Sequence, residues 1–508
     1  MALLVALLAC HSEVRLPAGS ATTPDLVLVS VDTLRADHVS AYGYSRPTTP
    51  FLDRLAAKGA RATHARSAAP WTLPSHTTML TGQLPSTHHV IEDALRLDPS
   101  TPVLPELLRG AGYQTGGFVA TMYVSRVFGF ERGFDRFEDF DLHTEKANLS
   151  GEVTADEVVD AALGWLGGLP AGQPAFVFLH VYDAHYAYDP PAPYNTLFDR
   201  APRPSDFKYR NYKYYKSHPV DPEQMAHQTA QYDEAIRYVD DQLARLHAAL
   251  AAAGRRSRWV VTADHGEELG ERGSWGHAHT LYAEQLRVPL ILWGEGVPAG
   301  RVLDGVVGTQ DVAPTLLGLA GATGLRADGI DLGPALAGAA LPERAFLAET
   351  SRFDSNRIGL YDGGLRLEWD LGGGHQELYD AVADPAEKQD VRVDRPQDLA
   401  AVIDHTLAQV GQPWTALRAG LVETDGQILP GGARQAQVTA GQTFAVLPVD
   451  AKVWFREDAG RRGPWARVGG AAPKDGDPLK VAAAGGAGSA TLTEAQRQAL
   501  EALGYVQE

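Results

Sequence analysis

Three short runs constrain the fold more than any other part of the chain: Asp-Leu-Val-Leu-Val-Ser-Val-Asp at 25–32, Ala-Phe-Val-Phe-Leu-His-Val at 175–181 and Arg-Trp-Val-Val-Thr-Ala-Asp at 258–264. Each is a near-continuous apolar stretch without the alternation of a strand that has one face in water, and each is too short for a buried helix. Such runs are strands covered on both faces, the condition of a parallel sheet. Helix signals lie between them. Pro50–Gly59 begins with proline, has Lys58 late and ends in glycine. Thr154-Ala155-Asp156-Glu157 is a capping box opening a helix to about Gly167. Asp221-Pro222 opens a long helix to Gly254, with Tyr232, Ile236, Val239, Leu243 and Leu246 on one stripe. Ala60–Arg66 and Gln114–Ala120 read as further strands. Alternation of this kind predicts an α/β fold. At 508 residues the chain is too long for one core, so smaller units are expected beside a large one.

In an open α/β sheet, ligands gather at the carboxyl ends of the strands. Asp32 and Asp264 stand at two such ends, with His265 next in sequence. A third stretch, Ala-Pro-Trp-Thr-Leu-Pro-Ser-His-Thr-Thr-Met-Leu-Thr-Gly at 69–82, places Thr72 where a helix begins. Free N–H groups and the helix dipole favour an anion there, although a threonine in that place also serves as a simple N-cap. Two carboxylates and an imidazole suit a divalent cation, which would lower the pKa of a bound hydroxyl. Asp32, Thr72, Asp264 and His265 are therefore the expected metal set, and Thr72 the expected nucleophile.

These segments, together with Asp32-Thr33-Leu34-Arg35-Ala36-Asp37-His38, Ala41-Tyr42-Gly43-Tyr44, Pro47-Thr48-Thr49-Pro50, Met79-Leu80-Thr81-Gly82 and Asp264-His265-Gly266-Glu267, closely resemble the sulfatase family of the alkaline phosphatase superfamily. The resemblance runs from about Asp25 to Gly321, with a tail signature at Glu377-Leu378-Tyr379-Asp380 and Asp384-Pro385. It implies an alkaline-phosphatase-like α/β fold: a large, mostly parallel sheet flanked by helices, with a smaller C-terminal α+β subdomain. It also implies one divalent ion, Zn, Mn or Ca.

Three positions depart from the family pattern. Thr72 stands where sulfatases carry the Cys or Ser that becomes formylglycine; threonine would give a ketone at best, so no formylglycine is expected. His76 replaces the Arg that closes the signature, and Thr33 replaces the second Asp of the first pair. The resulting set resembles the single-metal site of phosphoethanolamine and glycerophosphate transferases, or of threonine-using phosphodiesterases. His185, in Tyr182-Asp183-Ala184-His185, matches the family histidine that contacts the ester and is the expected general acid or anion-binding group. His277 and His279 lie in a region from which the family places a Lys or His on ester oxygens; an anion role is favoured over a second metal. His76 and Arg35 are expected at the substrate, and His180 in the core.

The expected function is metal-dependent hydrolysis of sulfate- or phosphate-type esters, with phosphodiesters or phosphonate esters favoured. The alternatives are a phosphoryl transferase and a non-catalytic surface protein of the same ancestry. Expected substrates are small-molecule, glycan or lipid esters. A net charge of −18 without basic clusters argues against nucleic acid, and no obligate protein partner is expected. Cys10, the only cysteine, ends Leu7-Leu8-Ala9-Cys10 like a lipobox. Residues 1–23 are thus expected to be a signal, anchor and tether, and the protein a periplasmic or outer-membrane lipoprotein of the bacterial cell envelope. The remaining divisions are a catalytic domain at 24–321, a C-terminal subdomain at 322–425, and an accessory β segment, linker and terminal helix at 426–508. Residues 201–215 are expected to form a surface loop able to contact substrate.

Overall fold

The first apolar run becomes the strand Asp25–Val31, buried along its whole length. In this computed structural model it lies inside an eight-stranded sheet. The structure describes residues 15–93, 95–142, 153–200, 212–352, 357–370 and 375–409, followed by short strands between 414 and 489. From edge to edge the large sheet runs Arg301–Gly308, Ala60–Arg66, Leu290–Gly294, Ser257–Thr262, Asp25–Val31, Ala175–Val181, Gln114–Val119 and Arg136–Glu138. The three apolar runs are adjacent and parallel, with Val27 beside both Val177 and Trp259. Their carboxyl ends therefore open at one edge, which is where Asp32, Tyr182–His185 and Asp264–His265 follow. Leu290–Gly294 runs antiparallel to both of its neighbours, so the sheet is mixed.

The Thr72 helix spans Thr72–Thr81 and ends on Gly82 in the left-handed conformation (φ 71°). It starts two residues before Pro74, which therefore takes the third helical position and not the first. Trp71, in extended conformation, takes the N-cap place, and no side chain caps the helix. Thr72 is thus inside the first turn, and the simple capping role is not the one it plays.

The long helix Pro222–Ala252 buries all five residues of its expected stripe. It also braces the chain that follows the first strand. The Tyr232 hydroxyl donates to Thr33 O (2.8 Å) and accepts from Arg35 N (2.9 Å). Asp233 takes hydrogen bonds from Arg46 and Tyr44 and pairs with His38. Asp240 receives Phe51 N and Leu52 N at the start of the helix Pro50–Lys58.

After residue 340, four antiparallel strands, Phe346–Thr350, Arg357–Asp362, Leu365–Asp370 and Gln376–Asp380, form a second sheet. The helix Pro396–Gln409 packs on it, and Leu347, Ile358, Leu360, Leu367, Trp369, Leu378 and Val402 make a core of their own. A further six-stranded sheet begins with Trp414–Thr415 and includes Gly420–Leu429. That strand crosses the boundary expected at 425, because composition does not mark where one sheet hands over to the next. Tyr212–Ser217, at the end of the expected surface loop, is helical. Cys10, residues 201–211, most of the linker 482–488 and the terminal segment 491–505 lie outside the described residues.

Candidate active site

Asp32 emerges from its strand with its two carboxylate oxygens in different company. Oδ2 faces Nε2 of His180 at 3.1 Å. Oδ1 is buried and accepts no hydrogen bond. Asp264 repeats the arrangement: Oδ1 accepts Thr33 N (3.2 Å) and His265 N (2.9 Å), whereas Oδ2 is buried without a hydrogen bond. His265 donates from Nδ1 to Gly266 O (2.9 Å), which leaves the lone pair on Nε2. That nitrogen lies 3.3 Å from Asp264 Oδ2, 3.7 Å from Asp32 Oδ1 and 3.4 Å from Thr72 Oγ1.

Two orphaned carboxylate oxygens and one unprotonated nitrogen thus converge, all within ligand spacing of one another. Burying such acceptors together without a cation is costly, and a divalent ion satisfies all three. The residues present fit the ion that the sequence implies. Burial pushes Asp264 up to about 6, and it raises Asp32 well above the carboxylate range with the charges of Asp264 and Glu267 adding to it. Burial pushes His265 down to about 4.

The match to the sulfatase family model runs from residue 24 to 322, more than half of the chain. This chain belongs to the sulfatase family. It is 29% identical over 275 residues to a low-salt glycan biosynthesis sulfotransferase of Haloferax volcanii, covering 52% of this chain and 56% of that one. With a multifunctional alkaline phosphatase superfamily protein of Trinickia caryophylli it shares 25% over 401 residues, 62% of this chain and 77% of the other. The fold is similar to that of a phosphonate monoester hydrolase of Agrobacterium radiobacter, with TM-score 0.62, 21% identity, and coverage of 76% of this chain and 95% of that one. The chain therefore spans little more than half of the first of these relatives.

Within this site of a sulfatase-family chain, the structure gathers some expected residues and diverts others. His277 lies beside His265, ring centroids 4.5 Å apart, and His185 lies 5.0 Å beyond it. His277 Nδ1 donates to Glu267 (3.1 Å) and His185 Nδ1 to Tyr186 O (2.7 Å). Burial holds His185 down at about 3 and His277 well below its usual value. With its Nδ1 bonded to Tyr186 O, His185 turns Nε2 to the Tyr182 hydroxyl at 3.3 Å.

His279 is turned elsewhere: Nδ1 is bonded to His277 O (2.8 Å), and Nε2 faces Ser274 (3.0 Å) and Glu268 (3.3 Å). Arg35, expected at the substrate, is engaged by Asp37, Glu271 and the carbonyl of Glu267. Its charge is neutralised inside the sulfatase loop scaffold. His76, one turn along the Thr72 helix, has both ring nitrogens engaged within the protein, Nδ1 at 2.9 Å from Thr72 O and Nε2 at 3.0 Å from the Ser30 hydroxyl. Thr33, the substitute for the second Asp, donates from its hydroxyl to Ala184 O (2.7 Å) and adopts φ 57°. It ties the Asp32 loop to the His185 loop in place of a ligand.

Sequence reasoning missed Arg352. It follows the strand Phe346–Thr350 of the second sheet, and its guanidinium carbon lies 4.1 Å from the Trp71 ring centroid. Nη2 donates to Asp93 (2.6 Å) and Tyr123 (2.7 Å). No local pattern marks it, because its neighbours come from a helix cap, a turn and a short helix more than 200 residues earlier in the chain.

Gly266 is required by space. A Cβ there would lie 2.2 Å from Glu284 O, a backbone atom that cannot move aside. Gly266→Ala is expected to destabilise the protein by about 2–3 kcal/mol, seen as an earlier urea midpoint, and to weaken metal retention. Unchanged values for both would show that the 264–267 loop is less tightly set than described.

Proposed function

We propose that this sulfatase-family protein is a metal-dependent ester hydrolase in which Thr72 attacks phosphorus, and that its substrates are phosphodiesters or phosphonate monoesters in preference to sulfates. The observation that carries this reading is the position of Thr72 Oγ1, 3.4 Å from His265 Nε2 at the convergence of Asp32 and Asp264. Asp32, Asp264, His265 and the Thr72 hydroxyl would hold the ion, which when bound supplies Lewis-acid polarisation of the ester and lowers the hydroxyl pKa.

The chain's own groups do the rest. The first turn of the Thr72 helix presents backbone N–H groups toward charge that develops on the transferred group. Ser75, the other hydroxyl in that turn, donates to Asp264 O at 2.6 Å; it secures the helix to the metal loop and is not aimed as a nucleophile. His277, whose Nδ1 is held by Glu267 and whose ring lies 4.5 Å from that of His265, is the candidate to accept a proton from the water that releases the phosphorylated threonine, and His185, bonded to Tyr186 O and Tyr182, packs against it. Threonine also supports the phosphoester reading over the sulfate one, because a secondary alcohol cannot yield the aldehyde hydrate on which formylglycine chemistry depends.

The test is turnover of aryl esters of a phosphate diester, a phosphonate monoester, a phosphate monoester and a sulfate by Mn- or Zn-loaded protein. Diester or phosphonate hydrolysis is expected to exceed sulfate hydrolysis by at least about 100-fold, a transition-state difference near 2.7 kcal/mol. Preferential sulfate turnover would overturn the reading. The group-transfer alternative, favoured by the named sulfotransferase relative, predicts products that carry the group on an added alcohol or sugar.

A further inference from the structure

A second cluster beside the first has the appearance of another metal site: His76, His180 and Asp264 also bring ligand atoms within 4.8 Å of one another. The hydrogen-bond polarity around the two rings argues otherwise. His76 Nδ1 lies 2.9 Å from Thr72 O, a carbonyl that only accepts, so Nδ1 carries the hydrogen. Its Nε2 is then the acceptor for the Ser30 hydroxyl at 3.0 Å.

His180 is fixed in the same way. Ala120 N–H donates to its Nδ1 (3.4 Å), so the ring hydrogen sits on Nε2, directed at Asp32 Oδ2 (3.1 Å). With Asp32 ionised, as a metal ligand must be, this is the only consistent arrangement. Both lone pairs that a metal would need are already in use. The rings meet edge to face at 4.9 Å, and strand register sets Ser30 directly beside His180. His180, read from sequence as a core residue, is therefore bonded to the carboxylate of Asp32.

We propose that His180 and His76 are positioning residues that ligate no metal: His180 fixes Asp32 so that its Oδ1 points to the ion, His76 holds the first turn of the Thr72 helix against the central strand, and their cluster with Asp264 takes no ion of its own. The inference rests on the metal reading of Asp32, Asp264 and His265 but not on the ester class. Groups of this kind, one step removed from the ion, commonly change metal affinity by about 10- to 100-fold when lost.

The experiment is titration of the full chain, stripped with chelator, with Mn and with Zn, using elemental analysis for stoichiometry and a competing chromophoric chelator for affinity. One ion per chain is expected. His180→Leu should weaken binding by about 10- to 100-fold at unchanged stoichiometry. His180→Gln, whose amide keeps a donor toward Asp32, should recover most of that loss, which a role in packing alone would not produce. Two tight ions per chain, or unaltered affinity in a folded His180→Leu, or no rescue by His180→Gln, would overturn the proposal. If His180→Leu fails to fold, wild-type stoichiometry and His180→Gln still decide it. Absence of any bound ion in the wild type, or equal binding by Asp264→Asn, would instead overturn the metal reading beneath it.

Discussion

Thr72→Ala is expected to reduce kcat/KM toward a phosphodiester or phosphonate ester by at least about 10,000-fold, the scale on which removal of a nucleophile is felt. Stability should fall by only about 1–2 kcal/mol. Thr72 makes no capping bond, the helix N-cap is Trp71, and the lost atoms are one hydroxyl and one methyl. Thr72→Ser separates the hydroxyl from the methyl: it keeps the attacking oxygen and gives up roughly 1 kcal/mol of packing, so activity should persist within about 100-fold of wild type. An Ala variant retaining more than a few per cent of activity would move the nucleophile to solvent water.

Asp264→Asn should have the second large effect, and with opposite signs in two conditions. The Asn side-chain oxygen can still accept Thr33 N and His265 N, so the loop that Asp264 organises persists. What is lost is a negative charge facing the ion, and metal affinity should fall by at least about 1,000-fold, roughly 4 kcal/mol. In the metal-free chain the same change is favourable. Burial raises Asp264 to about 6, above the unfolded value, so between about pH 4 and 6 the native state binds more protons than the unfolded state. Its contribution to apo stability therefore declines as pH rises through that window. His265, held down at about 4, contributes in the opposite direction between about 4 and 6.5, and comparison of the variant with wild type isolates the aspartate. Melting curves at pH 5 and pH 8, with chelator and with Mn, should show Asp264→Asn at least as stable as wild type in chelator at pH 8 and less stable in Mn. A variant stabilised by Mn as much as wild type would refute the assignment.

The elements that carry most of this chemistry were legible because their causes are local. A strand covered on both faces must be apolar throughout, so 25–32, 175–181 and 258–264 declared both their structure and the end at which Asp32 and Asp264 emerge. Strand direction is not local: Leu290–Gly294 has the composition of its parallel neighbours and runs against them. Side-chain company is not local either. Nothing near His180 states that Asp32 lies across from it, nothing near Arg35 states that Glu271 will engage it, and His279 differs from His277 only in which carboxylate its loop brings within reach. Arg352 reaches Trp71 from a separate sheet, a meeting visible only in three dimensions.

The bracing of residues 33–52 by Tyr232, Asp233 and Asp240 bears on how the protein is made. The first strand leaves the ribosome early, yet the loop that shapes Asp32 gains its distant partners, Ala184 and then Tyr232, only after roughly 150 to 200 further residues have been synthesised, and closing so long a segment carries an entropy cost that the docked elements must repay. Asp264 and His265 come later still, and Arg352 almost a hundred residues after them. A nascent chain accordingly holds the helix bearing Thr72 long before it holds Asp264 and His265, the groups that converge on that hydroxyl.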